Sequence, residues 1–240
     1  MKKVIIALAM VFGLSPDINA SEEQKDSLAL TLRQQKLVVI SSITAKGNLD
    51  GLKPALDAAL TSGLTVNEIK EAIVQLYAYC GFPRSIRGLQ TLMGVLEERK
   101  ARGITDKQGP VAKPINSGRS KYDRGKAILE KLTGVPETGP KTGYAAFAPE
   151  IEIFLKEHLF ADIFERDVLT YAERELVTVS VLASIGGVAP MLRSHLNICL
   201  NVGLSSGKLQ QFVEIIRQST GTKEADEAQH VLNEVLKSKK

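Results

Sequence analysis

The chain has 240 residues, 44% hydrophobic and 24% charged, with a formal net charge of +4. That is the balance of an ordinary globular protein with room for two modest domains. The positive charge is spread along the chain, aromatics make up 5% of it and tryptophan is absent, which argues against a basic, base-stacking surface for nucleic acid.

At the start of the chain, Lys2 and Lys3 precede a compact apolar run, Val4 to Leu14, and Ile18-Asn19-Ala20 leads to Ser21. This order of charge, apolar stretch and small-residue exit predicts a signal peptide over residues 1–20, cleaved after Ala20, and an exported mature chain, periplasmic or secreted. The run is short for a membrane-spanning helix. No cysteine lies near the cleavage point, so no stable membrane anchor is expected once the signal is removed.

From Ser27 onward the periodicity is helical. Leu37 to Ile43 reads as an apolar helix ending at Gly47, and Leu52 to Thr61 as a second, closed by Gly63. Thr65 with Glu68 forms a capping box that opens a helix from Val66 to Cys80. Gly81 and Pro83 end it, and Ser85 to Arg99 follows as another helix. Residues 101–119, with three glycines and two prolines, read as a linker. Tyr122 to Leu132, Pro149 to His158, the stretch from Leu169, Ser205 to Thr220 and Lys223 to Lys237 complete an all-α chain.

The plan occurs twice. Leu56, Leu60, Gly63 and Leu64 match Leu196, Leu200, Gly203 and Leu204 at an offset of 140, and Gly81 matches Gly221 at the same offset. Upstream, Leu30, Thr31 and Leu37 match Leu169, Thr170 and Leu176 at 139, so one residue was gained at the glycine break. A register kept across three elements points to an internal duplication. The division is a first repeat over 21–100, a linker over 101–120 and a second repeat over 121–240.

The chain centres on Thr170 to Ser205. Arg174 and Glu175 stand at the head of one apolar helix, and after Gly186-Gly187 a single histidine, His195, stands early in the next. Leu192, His195, Leu196, Cys199 and Leu200 share one face, so His195 rides on the buried side. A carboxylate and an imidazole on neighbouring helices can form a proton-transfer pair. Equally, the histidine can satisfy a core hydrogen bond and the glutamate can be a solvated helix charge. Cys80 and Cys199 are the only cysteines, and with no CxxC, Cys/His cluster or HExxH no metal site is expected.

These residues resemble the carboxymuconolactone decarboxylase family, whose helical fold is shared with alkylhydroperoxidase D-like proteins. The likeness is carried by Leu169-x4-Arg174-Glu175-Leu176-Val177, by Ser194-His195-Leu196 with Asn201-x-Gly203, and by Tyr79-Cys80-Gly81-Phe82-Pro83. Tyr122-Asp123-Arg124-Gly125, Pro149-Glu150 and Phe160 resemble the lead-in to a family repeat. The resemblance implies two tandem helical-bundle repeats, assembly into homo-oligomers such as trimers or larger rings, and, for the decarboxylase branch, no metal or organic cofactor.

The departures narrow the chemistry. Peroxidase members resemble one another in a CxxCxxxH motif, but here Val188 and Met191 hold the cysteine positions ahead of His195. In the first repeat Asn48, Gly51 and Ala55 stand at the three places. The repeats have also diverged in a complementary way. The first keeps Tyr79-Cys80-Gly81 but has Gln35-Lys36 where the second has Arg174-Glu175. The second has Ser219-Thr220-Gly221 where the first has Tyr79-Cys80-Gly81. One hybrid site per chain is therefore expected, with His195 and Glu175 as catalytic residues and Arg174, Tyr79, Cys80 and Arg84 as substrate-binding residues. The expected partner is a small carboxylate or lactone, its acid group clamped by an arginine. A thiol-dependent antioxidant role needs Cys80 and Cys199 to meet and a lowered thiol pKa. A non-catalytic binding or assembly role needs His195 closed in an apolar core.

Overall fold

The computed structural model describes residues 28–239, so the signal-peptide stretch lies outside the described residues. Among them there is no strand. The first repeat is α1 (Leu32–Lys46), α2 (Leu49–Thr61) and α3 (Val66–Ala101). The second begins with α4 (Lys121–Thr133), the short α5 (Gly143–Phe147) and α6 (Pro149–Phe154), which runs on as a π-helical stretch, Leu155–Phe164. It continues through α7 (Tyr171–Ile185), α8 (Ala189–Asn201), α9 (Ser206–Ser219) and α10 (Thr222–Ser238).

The duplication is visible element by element. α1 and α7 both have 15 residues, and both open on a capping box, Thr31 with Gln34 and Thr170 with Glu173. α2 and α8 both have 13 residues. Thr65 and Ser205 cap α3 and α9 through their side chains, each cap contributing about 1 kcal/mol. The break at Gly81 is a change of direction inside α3, with φ 80° and ψ 160°, and its counterpart Gly221 (φ 127°) separates α9 from α10. Both backbones occupy a region that favours glycine. So α3 is two helical segments that meet at Gly81, where the sequence placed the break.

The repeats are interleaved. α1 packs along α7, and each crosses into the other repeat's core. Val38 of α1 sits among Leu196, Phe212 and Leu232, whereas Val177 and Val181 of α7 sit among Leu52, Ile69 and Leu76. Fully burying such side chains contributes roughly 1.5–3 kcal/mol each. Neither half encloses its own core. A third cluster joins α4 to the π-helical stretch through Ile128, Leu132, Phe160 and Phe164. The two backbones approach so closely that a Cβ on Gly125 would lie 1.9 Å from the Lys156 carbonyl oxygen.

The segment between the repeats is laid against the first one. Lys107 and Gln108 carbonyls accept from the amides of Val66 and Asn67 at 3.0 and 2.9 Å, satisfying donors at the start of α3. Arg99 holds Asp106 through paired contacts at 2.8–3.0 Å. No helix among the described residues is long and apolar enough to cross a membrane.

Candidate active site

α7 is the central rod, with every residue from Glu173 to Ser184 buried. Gly186 and Gly187, both at positive φ (68° and 72°), turn the chain at its end. α8 then returns alongside α7 with Pro190 in its first turn. This reversal places His195 opposite Glu175, with 2.8 Å between His195 Nδ1 and Glu175 Oε2. A carboxylate can only accept, so Nδ1 carries the hydrogen and Nε2 is the nitrogen left to exchange a proton. Glu175 is fully buried, and its Oε1 has no hydrogen-bond partner.

His195 borders a cavity of about 430 Å³ walled by Leu129, Leu159, Phe160, Leu182 and Ile198, with Tyr144 and Met191 at its exposed side. It is not sealed in a leucine core. Tyr79 of the first repeat lines the same cavity and meets the His195 ring edge-on, centroids 6.1 Å apart. Burial and the Glu175 charge push the Tyr79 phenol's pKa up, Thr178 and Arg174 opposing, so it stays protonated. Its hydroxyl shares a hydrogen bond with Thr178 Oγ1 at 3.1 Å. Thr178 in turn accepts from Gln75 Nε2 at 3.0 Å.

The six expected residues divide three ways. Glu175, His195 and Tyr79 come together. Cys80 and Arg84 line a second cavity of about 480 Å³, with Lys46 and Ser184, and Tyr79 is the wall common to both cavities. The Arg84 guanidinium lies on Gly47, where any Cβ would collide with it. Arg174 lines neither. It is 0% exposed, and its guanidinium donates to Glu71 at 3.1 Å, Gln75 at 3.0 Å and the Arg166 carbonyl at 2.8 Å. The clamp expected of Arg174 is replaced by an internal ion pair between the repeats. Burial pulls its pKa below the usual arginine value, with Glu71 opposing.

The requirements of the thiol reading are not met. Both cysteines are free. Burial pushes Cys80 up to about 11 despite Arg84 nearby, and burial with the Glu175 charge pushes Cys199 up as well. A raised pKa withholds the thiolate that such chemistry requires. Among the described residues no three metal-ligating side chains converge.

Sequence reasoning missed Glu71 and Gln75, although both fall on the α3 face that carries Ala72 and Leu76 into the core. Polar residues one turn apart on a buried face are the signal that could have found them. It also missed Thr178, and Leu155, Leu159 and Phe160 of the π-helical stretch as cavity walls; π-turns recur at functional sites.

Comparison with known proteins fits this geometry. The chain matches the model of the carboxymuconolactone decarboxylase family over residues 24–92 and 149–235. It is similar to the 4-carboxymuconolactone decarboxylase of Acinetobacter baylyi, 28% identical over 91 residues, covering 38% of this chain and 67% of that protein. With both repeats matched, the chain belongs to the carboxymuconolactone decarboxylase family.

Proposed function

We propose that the protein performs cofactor-free acid/base chemistry, as a lyase or isomerase, on a small carboxylate or lactone held in the His195 cavity. The observation that carries this reading is the Glu175–His195 hydrogen bond, 2.8 Å long, at the edge of a mostly apolar cavity. Glu175 fixes the tautomer and orientation of the imidazole and stabilises the imidazolium that forms on proton uptake. Nε2 then takes or delivers a proton at a carbon beside the substrate carbonyl. The low-dielectric walls strengthen each charge interaction in the site. The similarity to a 4-carboxymuconolactone decarboxylase supports the reaction class.

The test is solvent-deuterium incorporation into candidate lactones and unsaturated acids, followed by NMR. Incorporation by the wild type, reduced about 10²–10⁴-fold in His195→Gln and substantially in Glu175→Gln, supports the reading. Equal incorporation by wild type and His195→Gln refutes it.

The reading extends to where and how the chain acts: exported, and as a homo-oligomer. The N-terminal Lys2-Lys3 and apolar pattern supports the first. Exposed Phe82, Phe147 and Phe154 support the second. Mass spectrometry of the chain recovered from its producing cells and light scattering test the two.

A further inference from the structure

The His195 cavity has a chemical character beyond its acid/base pair. Among the described residues, every side chain lining it is apolar or neutral, and histidine is the one that can carry charge. The arginines expected to receive an acid group do not line this cavity. Arg174 is buried against Glu71, and Arg84 belongs to the second cavity. A carboxylate entering this space loses its water, a cost of several kcal/mol for an ion. It also comes to lie near Glu175, a fully buried carboxylate whose Oε1 is unpartnered. The volume, about 430 Å³, is at the small end of ligand cavities, which run from about 300 to 1,000 Å³.

We infer that the ligand of this cavity is an uncharged, largely apolar lactone or related ester, not a polycarboxylate. The inference rests on the acid/base reading of the cavity and narrows it. With no carboxylate to expel, the chemistry that remains is proton transfer between carbons. Neutral His195 Nε2 removes the α-proton of a β,γ-unsaturated lactone. The C–H electron pair delocalises into a dienolate, with its charge on the carbonyl oxygen. The imidazolium returns a proton to the γ-carbon, and the double bond moves into conjugation. One proton leaves, one is gained, and no oxidant or reductant is consumed.

The experiment uses two probes of the same frame, 5-phenyl-2(3H)-furanone and its 4-carboxyphenyl counterpart. The readouts are the methyl resonance of ¹³C-methionine-labelled Met191, which lines the cavity, and deuterium incorporation. The expected result is that the neutral lactone shifts the Met191 signal and binds at least tenfold more tightly than the carboxylate. Met191→Lys, at a position 51% exposed and so tolerant of a lysine, is expected to narrow or reverse that ratio at low salt. Equal or tighter binding of the carboxylate by wild type overturns the inference, and leaves the acid/base reading standing if the carboxylate exchanges its proton. No shift at Met191 with either probe also overturns it. Preferential binding of the neutral lactone without deuterium incorporation supports the ligand class and overturns the acid/base reading.

Discussion

Replacing Glu71 by glutamine leaves the Arg174 guanidinium buried at 0% exposure with only neutral acceptors, Gln75 Oε1 and the Arg166 carbonyl. Removing one partner of a buried ion pair costs about 3–5 kcal/mol. Arg174→Gln is the milder change, because Glu71 keeps its paired contact with Arg166 at 3.0 Å. It loses a charge-assisted bond and takes the donor from Gln75 Oε1, while Gln75 Nε2 keeps the residue-174 carbonyl and Thr178, about 1.5–3 kcal/mol. The other repeat supplies the control. At the matching positions Gln35 Nε2 donates to the Leu30 carbonyl at 2.8 Å, and Gln211 Oε1 accepts from the Leu30 amide at 2.6 Å. The same place in the fold is thus held by a neutral pair. The double variant Glu71→Gln/Arg174→Gln is therefore expected to be more stable than Glu71→Gln alone, with a coupling of about 0.5–3 kcal/mol. Urea denaturation of the four proteins measures it. At about 2–4 °C per kcal/mol for a chain of this size, Glu71→Gln alone lowers Tm by about 6–20 °C. A Glu71→Gln cost below about 1 kcal/mol, or strict additivity in the double variant, refutes the argument.

Gly125→Ala sets a Cβ against the Lys156 carbonyl, a backbone atom that cannot swing away; thermal melting is expected to show a loss of about 1–3 kcal/mol or more. Lys156 is buried and pairs with the buried Glu152 and the half-buried Glu137. Burial alone raises the Glu152 pKa, but Lys141, Lys156 and Tyr122 hold it down at about 2, and Glu137 is lowered by Lys156 and Lys141. Folded values below the unfolded value of about 4.3 give a stabilisation that is full above that pH and lost as pH falls toward about 2. The urea midpoint is expected to drop across that window in wild type and less steeply in Lys156→Met; identical slopes contradict the assignment. Tyr79→Phe removes the bond to Thr178, at about 0.5–1.5 kcal/mol in a chemical melt, and leaves the Glu175–His195 pair intact; loss of that pair's NMR signature refutes its independence from Tyr79. Thr170→Ala removes the α7 cap and is expected to cost about 1 kcal/mol, measured the same way.

What the sequence made legible was local. Capping boxes, cap glycines and a fixed register are written within a few residues of each helix end, so the repeat plan and most helices could be placed. The apposition of Glu175 and His195 was also within reach, because a short glycine turn joins two consecutive helices. Arg174 was not legible. An Arg-Glu pair at a helix head reads as solvated, and its burial depends on Glu71, 103 residues away in sequence. The π-helical stretch escaped for a similar reason, since its apolar residues satisfy helical spacing and its widened winding leaves no mark in composition. Tyr79, Cys80 and Arg84 belong to one motif and do line one cavity, but only Tyr79 also reaches the His195 cavity, and nothing in the motif's spacing marks which of the three faces the histidine.

The exchange of α1 and α7 between the two cores has a consequence for how the chain can be cut. A nick within residues 110–118 severs one covalent link and none of the interlocking helices. The products are two fragments that each present an unfinished core and a complementary face. They should behave as obligate partners, weak in helix content when separate and restored when mixed. Recovery then depends on fragment concentration, whereas for the intact chain it does not.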